Sequence, residues 1–168
     1  MAELKIKKYG EHVLRKKTSA VFEITEDIKK LVADMLETMY AAHGVGLAAP
    51  QVGVSLGLCV IDVSQDQKFP LVMINPKIIS GEDKVFAEEG CLSLPGFYGN
   101  VKRFDKIIAE YTDLKDKKKE IKVQGFLAKA VQHEIDHLNA KIFIDFLPEW
   151  KRKVIEKEIK RKKKMGDW

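Results

Sequence analysis

The chain has 168 residues, 45% of them hydrophobic, which is enough for one sizeable core, and it reads as a single domain over residues 1–168. Thirty Lys and Arg against twenty-five Asp and Glu give a net charge of +5, modest support for an anionic partner, and two cysteines are too few for a disulfide framework. Neither the opening MAELKIKKYG nor any later window has the apolar length of a signal peptide or the roughly twenty residues of a membrane span, so a cytoplasmic protein without a membrane partner is expected.

The first element is a helix. Thr25 is a candidate N-cap followed by Glu26 and Asp27, and apolar residues recur at Ile28, Leu31, Val32, Met35, Leu36 and Met39 until Gly44 ends the pattern. Strands are expected at 56–63, 69–79, 84–88, 104–114 and 119–124. Asn75-Pro76, Ser80-Gly81 and Pro95-Gly96 read as turns between them, and the polar run at 116–119 as a hairpin. Cys59, inside the apolar run LGLCVIDV, reads as a core residue. From 125 to 139 the period becomes helical, and Phe126, Leu127, Ala130, Val131, Ile135 and Leu138 wrap so much of the helix that it should be buried. A last helix over 148–164 begins at Pro148 and ends in lysines. Runs of strands without strict βαβ alternation predict an α+β fold, with mostly antiparallel sheets around the buried central helix.

That central helix carries HEIDH. At 3.6 residues per turn, His133 and His137 share one face, close enough for both imidazoles to bind one ion. Glu134, about 100° round the axis, can reach a metal-bound water without being a ligand, the relation behind HExxH metallohydrolases. A catalytic site usually takes three protein ligands and leaves a position open. The metzincin extension fails, since Ala140 stands at its glycine position and no third histidine follows. Glu156 or Glu158 from the last helix would make a metallopeptidase-like site, but both sit among lysines. Cys91, in the turn-rich EGCLSLP, is the stronger candidate, because a thiolate suits a borderline metal better than a carboxylate does.

GVGLAAPQVG (44–53), EGCLSLP (89–95) and QHEIDH (132–137), in this order, resemble the three signature motifs of the peptide deformylase family. The resemblance covers most of the chain and implies an enzyme that removes the formyl group from the N-terminal formylmethionine of nascent proteins, releasing formate. It implies Cys91, His133 and His137 as metal ligands with a water completing the site, and Glu134 as the group that takes the water's proton and delivers it to the departing amine. It makes the amide of Gln51 and the backbone N–H of Leu92 the donors to the developing oxyanion. Gly44 and Gly46, with Val45, would leave room for an extended peptide to pair as an added strand. The methionine pocket would include Val45, Phe126, Ala130 and His133, with Lys129 where an apolar neighbour is expected. Two His and one Cys suit zinc, iron(II), nickel or cobalt, and the resemblance favours iron(II), with zinc often replacing it.

Other residues have ordinary readings. His12 and His43 are expected to face solvent, and Asp136 to pair with Arg103 and position the helix. The glycine spacing of GVGLAAPQVG does not fit a phosphate-binding loop, so no nucleotide is expected, nor is DNA. From Lys151 to Lys164 nine Lys and Arg face two Glu, with Trp150, Val154, Ile155 and Ile159 as an apolar stripe that would dock on the body. Such a helix either only aids solubility or is drawn to ribosomal RNA near the peptide exit, which salt would weaken. Two rivals to the deformylase reading are a metallopeptidase using Glu156 or Glu158, and an RNA-associated module with a purely structural metal.

Overall fold

The computed structural model describes residues 2–168, so Met1 lies outside the described residues. In chain order it has a 3-10 turn at His12–Arg15, helix α1 at Glu26–Ala41, strand β1 at Gly46–Ala48, a 3-10 turn at Ala49–Val52, β2 at Leu58–Ile61, β3 at Leu71–Cys91, β4 at Leu94–Thr112, β5 at Lys118–Gln124, α2 at Gly125–Leu138, a 3-10 turn at Phe143–Phe146, and α3 at Glu149–Met165. The strands form one sheet in the order β1-β2-β3-β4-β5, with every neighbouring pair antiparallel. The fold is α+β, with HEIDH on the buried helix α2. No helix among the described residues is long and apolar enough to cross a membrane.

Thr25 caps α1 by accepting the N–H of Ile28 at 3.3 Å. The helix covers one face of the sheet. Val32, Met35 and Met39 pack with Leu47, Leu58, Val60 and Ile74, whereas Cys59, Ile61, Ala48 and Met73 pack on the opposite face with Ala128, Val131 and Ile135 of α2. Successive strand residues point to opposite faces, so the unbroken apolar run in β2 marks a sheet covered on both sides. Cys59 is fully buried there, as its surroundings in the sequence suggest.

The segments expected as separate strands at 69–79, 84–88 and 104–114 belong to one long β3–β4 hairpin, paired from Ile74–Thr112 to Cys91–Leu94. Asn75-Pro76 and Ser80-Gly81 are not turns. A register shift between Ile74 and Lys77 absorbs Asn75-Pro76 as a bulge, which bends a strand without ending it, and after a second shift at Ile79, Ser80 and Gly81 pair regularly with Ile108 and Ile107. Asn75 takes a φ of 49°. Its side-chain amide accepts from Val21 N–H at 2.8 Å and donates to Val21 O at 2.7 Å, tying the N-terminal segment to the sheet. The chain reverses at Leu92-Ser93, and Pro95-Gly96 falls inside β4. The later hairpin turns over Asp113–Lys117, where the Asp113 carboxylate accepts from the N–H groups of Lys115 and Lys117, each at 2.9 Å.

Helix α3 docks through Ile155 and Ile159 onto Leu94, Val101, Ile142 and Phe143. Trp150 and Val154, expected in the same stripe, are 69% and 60% exposed. Residues four apart share a line on a helix, and Val154 and Trp150 lie about 100° and 140° away from the line through Ile155 and Ile159.

Candidate active site

Cys91 ends β3 at the hairpin turn, directly opposite the last turns of α2. Its Sγ lies 3.3 Å from His137 Nε2, which lies 3.3 Å from His133 Nε2. Among the described residues these form the cluster able to hold a metal ion, with all three ligand atoms within 4.8 Å of one another. Ligand atoms on bonds of about 2.0–2.3 Å at tetrahedral angles stand about 3.3–3.6 Å apart, so the set fits a single ion. Glu156 and Glu158 are elsewhere: Glu156 accepts from the Tyr9 hydroxyl at 2.9 Å, and Glu158 pairs with Arg161. That removes the metallopeptidase-like ligand set.

The lone pairs point inward for a reason. His133 Nδ1 lies 2.8 Å from Glu89 Oε2. Burial alone would raise the Glu89 carboxyl, but hydrogen bonds from Arg103 and His133 outweigh it and hold the group at about 2. A carboxylate only accepts, so Nδ1 donates and the lone pair of His133 is on Nε2, facing Cys91 and His137. His137 is pushed well below the usual histidine range, chiefly by burial and further by the positive charge of Arg103, which favours the neutral imidazole that a metal ligand needs. Arg103, 7% exposed, grips Glu89 through Nε at 2.6 Å and Nη2 at 3.0 Å and reaches Asp136 through Nη1. The Arg103–Asp136 pair is the one expected from sequence. The role of Glu89 was missed, although its place two residues before Cys91 in a strand, hence on the same face, was a usable signal.

Glu134 is 4% exposed, and its Oε2 has no hydrogen-bond partner. Burial, together with the negative charge of Glu89 and against the positive charge of Arg103, pushes its carboxyl up to about 7. A carboxyl poised there can both take and give a proton near neutral pH. Gln51 is 1% exposed, and its Oε1 accepts from Ala48 N–H at 2.9 Å. That contact aims its amide nitrogen at Cys91 Sγ, 3.4 Å away, and at Ser93 Oγ, 3.2 Å away.

One cavity of about 580 Å³ opens over this cluster. Gly44, Val45, Gly46, Gln51, Cys91, Leu92, Phe126, Ala130, His133 and Glu134 all line it, while His137, 1% exposed, lies behind. The glycines have a further cause. A Cβ on Gly44 would stand 2.7 Å from Leu92 Cδ1, and one on Gly46 would stand 2.3 Å from Glu134 Oε1, so the space beside them is filled by the protein's own side chains. Phe126, expected to be buried, is 60% exposed at the cavity. Lys129 lines the wall with its ammonium 2.8 Å from Asp105 Oδ1. His12 and His43 are exposed, as expected, and His43 stands at the cavity edge.

Comparison with known proteins identifies the family. The family model described as polypeptide deformylase matches residues 3–153. A peptide deformylase of Endomicrobium trichonymphae is 70% identical over 168 residues, covering all of both chains, and one of Thermodesulfovibrio yellowstonii is 48% identical over 97% of this chain and all of that one. The crystal structure of a peptide deformylase from Legionella pneumophila superposes with a TM-score of 0.93 at 43% identity over 98% of each chain. That of the Ehrlichia chaffeensis peptide deformylase in complex with actinonin superposes with a TM-score of 0.91 at 38% identity over 96% of this chain and 98% of that one. The chain belongs to the polypeptide deformylase family, metal-dependent hydrolases that remove the N-formyl group from nascent proteins.

Proposed function

We propose that Cys91, His133 and His137 hold one divalent ion at which Glu134 drives hydrolysis of the formyl amide of N-formylmethionyl peptides, releasing formate. The observation that supports this most is the convergence of the three ligand atoms beside a buried, unpartnered carboxylate at the base of one cavity. When bound, an ion of this kind acidifies a water towards neutral pH and polarises a carbonyl oxygen. Glu134 then acts twice, taking a proton from the attacking water and passing it to the departing amine. Gln51 Nε2 and the Leu92 N–H donate to the oxygen as it gains charge. Gly44, Val45 and Gly46 supply backbone for an extended peptide, and Val45, Phe126, Ala130 and His133 wall the pocket for its methionine.

Iron(II) is the proposed native ion, and the Cys and two His also suit zinc, nickel or cobalt. The whole chain is proposed to act as one catalytic domain in the cytoplasm, without membrane, DNA or nucleotide as partners. The basic solvent face of α3 is proposed to approach ribosomal RNA near the emerging substrate, an attraction that added salt should weaken steeply.

The deciding experiment prepares the protein without oxygen, measures its metal content, and follows formate release from a formyl-Met peptide. Metal-replete protein should turn the peptide over. Glu134→Ala should retain the metal and lose about a hundredfold to ten-thousandfold in rate. Cys91→Ala should lose both metal and activity. No formate from the metal-replete protein rejects the assignment, and full activity in Cys91→Ala rejects the ligand set.

A further inference from the structure

Lys129 sits four residues before His133 on α2, hence one turn away on the same face, and three after Phe126. It is the one Lys or Arg among the residues that line the cavity. An ammonium in that position would lie free beside any side chain the cavity takes. It does not lie free, because Asp105 on β4 holds it at 2.8 Å, with the lysine side chain only 18% exposed and the aspartate 34%. The lysine therefore presents its methylene stem to the cavity and its charge to the strand.

We propose that Lys129 is a specificity-determining residue and Asp105 its positioning residue: the pair keeps the side-chain pocket apolar, and its release converts the pocket to one that takes acidic side chains. This rests on the reading of the cavity as the place where the first side chain of a formylated peptide binds. A carboxylate entering the locked pocket loses its water and meets no free cation, which is costly. Once Asp105 has no charge, the ammonium one turn from His133 can pair with it.

The test compares formyl-Met and formyl-Glu peptides of otherwise identical sequence, with metal-loaded wild type, Asp105→Asn, Asp105→Glu, Lys129→Met and the double variant Asp105→Asn/Lys129→Met. Asp105→Asn should raise the formyl-Glu to formyl-Met ratio of kcat/KM by about tenfold or more, chiefly through KM, as expected for one partly desolvated ion pair. Calorimetry with the unformylated Glu-peptide should show binding tightened in the same direction. Asp105→Glu should keep the wild-type ratio, and the double variant should return to it. Lys129→Met, which keeps a stem of similar length, should show the same formyl-Glu to formyl-Met ratio as the double variant, because neither offers a cation to the carboxylate. A ratio in Asp105→Asn within about twofold of wild type, or a shift that persists in the double variant, overturns the proposal. If Asp105→Asn does not fold, Asp105→Ala takes its place, and a ratio within about twofold of wild type in that variant overturns the proposal instead. Absence of formyl-Met turnover in the wild type would instead be a failure of the underlying reading, and is recognised separately.

Discussion

The carboxylate of Glu134 lies against the backbone of Gly46, so close that a Cβ there would stand 2.3 Å from Oε1 and 2.8 Å from Cδ. Gly46→Ala must therefore displace the proposed acid-base group, or shift β1 away from it. A misplacement of about 1 Å at a reacting group costs about a hundredfold in rate. Formate release should fall by about that factor, with metal content by elemental analysis unchanged, because the three heavy atoms nearest the new methyl all belong to Glu134 and not to a proposed ligand. Wild-type turnover in this variant would show that Glu134 does its work from another position.

Glu89 fixes the tautomer of His133 and is itself gripped by Arg103. Glu89→Gln retains the shape but loses the charge that keeps Nδ1 a donor. Metal affinity should drop by about ten- to a hundredfold, read by competition with a chelator of known affinity. Unchanged affinity would mean that ring orientation, not the carboxylate, sets the ligand strength of His133.

Ala140, just past the end of α2, has a φ of 61°. A left-handed conformation costs a non-glycine residue about 1–2 kcal/mol, while glycine loses about 0.4–1 kcal/mol more on folding, so Ala140→Gly should stabilise by up to about 1 kcal/mol. Thermal melting should rise by a few degrees with metal content unchanged. A lower melting temperature would indicate that the alanine methyl makes contacts worth more than the backbone strain.

Asp145 accepts two bonds from Arg15, at 2.6 and 2.9 Å, and a third from Ile142 N–H at 2.9 Å. Burial would raise its carboxyl, but Arg15 and the backbone bond outweigh that and lower it from the ordinary 3.8. A depressed folded value stabilises above 3.8, and that contribution is lost as pH falls through the folded value. Asp145→Asn should accordingly cost about 1 kcal/mol at neutral pH, a modest figure because both partners are partly exposed, and nothing once the wild-type carboxyl is protonated. Urea unfolding at both pH values checks this, and an equal deficit at acid pH would assign the cost to shape rather than charge.

The spacing of His133, Glu134 and His137 was legible because a helix's period is a local property, and the three motifs in order pointed to Cys91 as the proposed third ligand. Burial of Cys59 and the cap at Thr25 are local in the same way. Turn-like pairs such as Asn75-Pro76 misled because only distant partners, here Val21, decide whether such a pair ends a strand or bulges it. The tautomer of His133 needed Glu89 and Arg103 from two strands, and the raised carboxyl of Glu134 needed a cavity wall from several elements. Solvation and pairing depend on what surrounds a group in space, so these were decided only when the chain closed around α2.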